Sequence, residues 1–223
     1  MQMSGITDNP DRNPFEPINE TVYKYLHNAI INLEYKPGTA LIESKIASEL
    51  GISRSPVKAA LQRLEQENLV EREPGKRPRV AGIKYEDCAA LLEARRGIES
   101  WAAFYAAGRI TNGELERLGK ALLRMRESGR NKSPEECARA DADFHQIIID
   151  ASHNGYLSEA YSLISGNLLR YRIYIMKKMG MRDLFEFEHH MSIYRAMENH
   201  CATVAREEML VSIDNMVQAM RYL

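Results

Sequence analysis

Apolar residues recur every three or four positions along most of this chain, so the sequence reads first as a succession of amphipathic helices. Val22, Leu26, Ile30 and Leu33 mark the first, Ile18 to Leu33, which Lys36-Pro37-Gly38-Thr39 ends. A short helix follows from Glu43 to Leu50 and stops at Gly51. The next begins at Ser55-Pro56, where a Ser N-cap and Pro at the first helical position form a start signal, and runs to Glu67. The period then changes. Leu69 to Glu73 and Arg79 to Gly82 read as two short strands around the basic loop Pro74-Gly75-Lys76-Arg77-Pro78. After Ile83 to Tyr85 the helical period returns and persists. The spans are Glu86 to Arg109, Thr111 to Glu127, Pro134 to Ala151, Tyr156 to Met179 with a break near Gly166, Leu184 to Asn199, and Ala202 to Leu223. Thr111 with Glu114 makes a capping box, and Ser133-Pro134-Glu135-Glu136 sets N-cap, N1 and N3 residues in order.

This order predicts a mainly α protein: an N-terminal winged helix-turn-helix over residues 16–82, a linker at 83–85, and an all-helical bundle of six or seven helices over 86–223. A length of 223 residues agrees with two modest domains, each with its own core. Residues 1–15 (MQMSGITDNPDRNPF) are polar without an apolar period and are expected to be disordered. Apolar residues at 44% and charged residues at 27% fit a folded soluble protein. There is no secretory signal, and no apolar run approaches the roughly 18 residues a membrane span needs, so the expected location is the cytoplasm. Cys88, Cys137 and Cys201 are widely spaced with no CxxC pair, which predicts reduced, buried thiols rather than a disulfide frame or zinc ribbon.

The formal net charge of -1 does not advertise a nucleic-acid binder, but local charge does. From Lys36 to Gly82, nine Lys/Arg stand against six Glu, a net of +3, leaving the remainder acidic. Within that window Ala47, Gly51 and Val57 supply a small residue where two helices touch, a turn glycine and an apolar anchor, the steric needs of a helix-turn-helix. On the second helix Val57, Ala60, Leu61 and Leu64 form the inward stripe, which turns Arg54, Ser55, Lys58 and Gln62 outward. In a major groove Arg54 and Lys58 are the base-reading candidates, and Gln62 suits adenine. Lys45, Ser53, Ser55, Lys76, Arg77 and Arg79 are placed for phosphates, and Gly75 would let the wing backbone approach the minor groove. A basic face on a short helix is more often a solvated face. Its combination with a following basic wing makes DNA binding the stronger reading.

The segment KPGTALIESKIASELGISRSPVKAALQRLEQENLVEREPGKRPRVAGI resembles the winged helix-turn-helix of the GntR superfamily nearly residue for residue. The resemblance rests on Pro37-Gly38, the SRSPVKAAL start of the reading helix and its LxxLExENLV exit. It implies that Arg54 and Lys58 are the principal operator contacts and Gly75 the wing-tip glycine. Lys58 stands where Arg is usual, and Ser44 where some relatives carry a further DNA-contacting Arg. A Lys point charge lacks the guanidinium fork that reads guanine with two bonds.

The helical half resembles the FadR-type ligand-binding domain called FCD, through LLEARRGIESWAA, DADFHQIIIDASHNGYL and HMSIYRAMEN. That resemblance implies an enclosed effector and, in many relatives, a divalent metal held by an Asp, a His four residues on, and two further His. Here Asp141 and His145 form an i, i+4 pair, and His190 shares a stripe with Phe187, Ile193 and Met197. Carboxylate and imidazole ligands suit zinc, nickel or manganese. Where the last His is expected, on the stripe of Met209 and Met216, stands Ser212. His189 and His200 are expected on other helix faces. Two buried histidines hydrogen-bonded inside a bundle are the competing reading. Arg95 interrupts the stripe Leu91, Ile98, Ala102, Tyr105, and a charge there needs a partner: Glu99 one turn on, or, as the resemblance implies, an effector carboxylate. Arg170, Tyr171, Arg172 and Tyr174 either line the pocket or coat the helix.

The function expected is a homodimeric regulator, a repressor or an activator, whose two reading helices bind an inverted repeat of double-stranded operator DNA and whose helical domain binds a small, anionic effector. The alternative is a metal-dependent helical-bundle enzyme built on Asp141, His145 and His190. Against it, no Ser/His/Asp set, P-loop, GxGxxG or second carboxylate-rich helix is present in the sequence.

Overall fold

The computed structural model describes residues 15–179 and 187–220. Contacts divide the chain into two compact units, with the division between Ile83 and Lys84. In the first unit, α1 (Ile18–Ile31), α2 (Glu43–Leu50) and α3 (Arg54–Gln66) precede β1 (Val70–Glu71) and β2 (Arg79–Val80). Its core joins Val22, Leu26 and Ile30 of α1 to Val57, Ala60, Leu61 and Leu64 of α3, all buried. Gly51 closes α2 at φ 67°, a left-handed conformation in which a Cβ would be strained.

The start of α3 differs from the sequence expectation. Ser53, not Ser55, is the N-cap residue, with extended backbone, because the chain is already helical at Arg54. Pro56 then sits in the first turn, where its missing N–H leaves no helical bond unmade. The strands are shorter than predicted: only Val70↔Val80 and Glu71↔Arg79 pair, since Pro74 and Pro78 cannot donate to a ladder. On its other side β2 is held by Thr39, whose carbonyl accepts from the Val80 N–H at 2.9 Å.

The second unit is helical throughout its described residues: α4 (Tyr85–Arg109), α5 (Asn112–Arg130), α6 (Pro134–Ala151), α7 (Gly155–Met179), α8 (Phe187–Glu198) and α9 (Ala202–Met220). The capping box is formed at α5: the Thr111 hydroxyl accepts from the Glu114 N–H at 3.3 Å, while the Glu114 carboxylate accepts from the Thr111 N–H at 2.8 Å. Helix α4 packs against α6, α7, α8 and α9, and α5 against α6 and α8. The buried stripe of α4 is Cys88, Leu92, Arg95, Glu99, Ala102 and Ala106, turned from the expected one so that Leu91, Ile98 and Tyr105 are only half-buried. No break occurs at Gly166; α7 runs through it, as a lone glycine costs a long helix only about 1 kcal/mol. Cys88 and Cys137 are buried, and burial pushes their thiols up to about 12 and about 11, so both are inert. Cys201, expected to be buried, is exposed. The segment 1–15 except Phe15, and the expected helix ends at 184–186 and 221–223, lie outside the described residues.

Candidate nucleic-acid interface and effector pocket

The first unit presents its candidate DNA contacts on one surface of α3 and on the wing. Arg54, Lys58 and Gln62 are exposed at four-residue intervals, on the face opposite Val57, Leu61 and Leu64. Ser53 and Ser55 are exposed beside them. Lys45 is exposed on α2 with Glu49 3.8 Å away, so part of its charge is already balanced. At the wing tip Gly75 has φ +74° with open space above its Cα, and Lys76, Arg77 and Arg79 are exposed. Lys76 meets Glu73 at 2.5 Å, and Arg79 donates to the Gly38 carbonyl at 3.3 Å.

Arg63, exposed on the same helix, is directed elsewhere. Its guanidinium lies 3.5 Å from the Tyr23 ring centroid and 2.8 Å from Glu20, while the Tyr23 hydroxyl donates to Glu67 at 2.9 Å. Burial and the Glu67 carboxylate push the Tyr23 hydroxyl up to about 12. Arg72, at the root of the wing, meets Glu65 of α3 at 2.6 Å. These contacts hold α1, α3 and the wing in register, and sequence spacing carried no sign of them because each joins residues distant in the chain or across a turn.

In the second unit five helices converge on one pocket, to which α4 contributes Arg95, α6 Asp141 and His145, α7 Arg172, α8 His189 and His190, and α9 Ser212, Asn215 and Met216. One ligand atom from each of Asp141, His145 and His190 lies within 4.8 Å of the others, and all three residues are buried. Asp141 Oδ1 is 2.8 Å from His190 Nε2 and 3.7 Å from His145 Nε2. Burial opposes the Asp141 charge, but Arg172, 2.5 Å from Oδ2, and the two imidazoles hold its carboxyl far below the ordinary carboxylate range. Burial likewise holds His145 below its ordinary range, so its imidazole is neutral.

Glu99 decides which nitrogen of His145 is available. Its Oε2 is 2.7 Å from His145 Nδ1, without hydrogen-bond geometry, so it is the nearby carboxylate charge that favours a proton on that nitrogen and a lone pair at Nε2. A carboxylate behind an imidazole is also what orients histidine ligands in metal sites. The donor set, one carboxylate and two imidazoles with one of them braced, therefore fits a transition metal. Arg95 Nη2 lies 2.9 Å from that same Nε2 and, being only a donor, contends for its lone pair.

Of the two partners expected for Arg95, Glu99 is in place, accepting from Nε at 2.6 Å and from Nη2 at 3.2 Å. Burial opposes both charges, yet each stabilises the other, and Glu99 falls to about 2. Arg95 nonetheless also lines the pocket. Arg172, left open by sequence, stands in the same position. Leu168, Arg172, Ile175 and Met176 form one buried stripe of α7, and a cation on an apolar stripe is the signal that singled out Arg95. His189, expected on another face, lines the pocket too, 3.4 Å from Glu208. His200 faces away, its Nδ1 2.8 Å from the Ala107 carbonyl.

A helix-turn-helix with a basic wing, in a chain that also carries a helical, pocket-bearing domain, defines a DNA-binding regulator of transcription. The chain belongs to the GntR family: the model of bacterial regulatory proteins of the gntR family matches residues 18–80, and that of the FCD domain residues 90–215. It is 32% identical to the HTH-type transcriptional regulator LutR of Bacillus subtilis, over 83% of this chain and 93% of that one. It is 21% identical to the HTH-type transcriptional repressor RspR of Escherichia coli, over 95% and 92%. The solved structure of E. coli McbR/YncC superposes with a TM-score of 0.80 at 19% identity, covering 93% of this chain and 99% of that one, which shows a shared fold. The role of the family is regulation of transcription through operator DNA, not enzymatic catalysis, and effector binding is typical of its FCD domains. No helix among the described residues is long and apolar enough to cross a membrane.

Proposed function

We propose that this chain is a cytoplasmic, homodimeric repressor whose 16–82 domain reads an inverted repeat and whose 86–223 domain releases or tightens that grip when a small carboxylate binds. The observation that carries the effector half is the pocket, where buried Arg95 and Arg172 stand beside the Asp141, His145 and His190 cluster. Those three residues would hold a zinc, nickel or manganese ion, which as a Lewis acid would attract an anionic oxygen. Ser212, in place of a further imidazole, leaves room in the shell for such an oxygen, and two guanidinium groups favour the same charge. For the DNA half, support comes from exposed Arg54 and Lys58 on α3 and from a wing whose turn requires Gly75. The repressor sense follows that of the relative RspR. Coupling arises if the effector prefers one packing of the bundle and that packing sets the spacing of the two reading helices.

Metal analysis of the purified protein, with calorimetry of a panel of small carboxylates, tests this against His190→Ala and Arg95→Ala. One equivalent of metal, lost in His190→Ala, and a carboxylate bound at least tenfold more weakly by Arg95→Ala are expected. Absence of metal overturns the cation half. A carboxylate that shifts operator affinity yet binds Arg95→Ala as tightly as wild type overturns the anion half.

A further inference from the structure

A buried guanidinium directed at a histidine lone pair is an unexpected neighbour for a metal site. Arg95 and Glu99 lie one turn apart on α4 and His145 lies on α6, all three buried. Arg95 Nη2 stands 2.9 Å from His145 Nε2. A guanidinium carries donors and no acceptor, so at this contact Nε2 accepts and its one lone pair is spent. An ion bonded to Nε2 draws on that same lone pair, at about 2.0 to 2.1 Å. The two cannot share it. Arg95 also brings the charge an ion would bring: Asp141 Oδ1 is 3.7 Å from the same Nε2, and its carboxylate stabilises the Arg95 cation.

The contacts that hold Arg95 are unequal. Glu99 accepts from Nε at 2.6 Å and from Nη2 at 3.2 Å, whereas Nη1 has only the Met216 sulfur, at 3.3 Å. The carboxylate bonds join two charges and are the strong ones; thioether and neutral imidazole are weaker acceptors. Nη2 can therefore leave His145 while Nε keeps Glu99. We propose that Arg95 is an internal cation standing in for the metal at His145, so that the ion and this contact exclude one another and Arg95 sets how tightly the ion is held. This rests on the metal reading above. Turned from His145, Arg95 keeps its charge and still lines the pocket, with Nη2 able to meet an anion there. Ion and anion then favour one another through a single side chain.

Zinc affinity of the full-length protein, stripped with a chelator and titrated against a chromophoric one, provides the test in wild type, Arg95→Lys and Arg95→Ala. Lysine keeps the charge for Glu99, but its ammonium ends about one bond short of Nη2 and does not reach Nε2. Both variants should hold zinc about tenfold or more tightly than wild type, the weight of one hydrogen bond from a charged donor, and adding His190→Ala should abolish the gain. In a crystal of zinc-loaded wild type, Arg95 Nη2 should lie beyond hydrogen-bond reach of His145 Nε2. Equal affinity in all three proteins overturns this proposal and leaves the metal reading standing. A gain in Arg95→Ala without one in Arg95→Lys is charge repulsion, and overturns it too. If wild type takes no zinc but Arg95→Lys takes one equivalent, Arg95 excludes the ion, which sustains this proposal and overturns the metal reading for wild type. No zinc in any of the three removes both. Should Arg95→Ala fail to fold, Arg95→Lys and the zinc-loaded crystal decide.

Discussion

Arg54 and Arg63 lie on the same short helix, carry the same charge, and differ in everything that matters for reading DNA. Arg63 is committed to Tyr23 and Glu20 of α1, whereas Arg54 projects from the first turn on the face opposite the core. Arg54→Ala should therefore leave the melting temperature unchanged and weaken binding by about 1 to 3 kcal/mol for each base edge it no longer reads, measured by fluorescence anisotropy on the cognate operator. Unaltered affinity in a folded variant would remove Arg54 from the interface. Lys58 belongs to the same face, but as a point charge it contributes to affinity more than to the choice of base. In the pocket, one buried carboxylate differs from another in the same way: Glu99 braces Arg95 and His145, while Asp141 faces two imidazoles.

At the level of elements, α5 owes its beginning to a local motif. Glu114 is partly shielded, which opposes its charge, yet the Thr111 N–H, His153 and the Thr111 hydroxyl bring it down to about 2. Its folded value thus lies below the unfolded value near 4.5. The stabilisation is fully present above that unfolded value and is lost as pH falls toward 2. Thr111→Ala should cost about 0.5 to 2 kcal/mol at neutral pH. Glu114→Gln should flatten the decline of melting temperature between pH 5 and pH 2; a decline as steep as wild type would show that the capping carboxylate contributes nothing there.

For the whole molecule, the pocket joins five helices that are far apart in sequence, so a ligand there bears on the stability of the bundle as a unit. An ion bound at about 100 times its dissociation constant stabilises the folded state by about 2.7 kcal/mol. Added zinc, nickel or manganese should therefore raise the melting temperature of wild type by several degrees and leave Asp141→Asn unmoved. An equal rise in both would place the ion elsewhere.

The DNA-reading half was legible because its determinants are local: one stretch from Pro37 to Gly82 holds the turn glycine, the inward stripe, the outward cations and the wing. Helix period alone put Val57, Ala60, Leu61 and Leu64 inside and Arg54, Lys58 and Gln62 outside. Asp141, His145 and His190 were legible as chemistry, through an i, i+4 pair and a stripe, but not as a cluster, since distance between α6 and α8 is a property of packing. The stripe of α4 was misplaced by about one residue for the same reason. Periodicity fixes which residues share a face, but it does not say which face of a helix its own chain will cover. Only tertiary contact decided that Glu99 holds Arg95, that Arg172 and His189 reach the pocket, and that Ala90, Gly97 and Trp101 remain outside, because each depends on which helices lie next to one another.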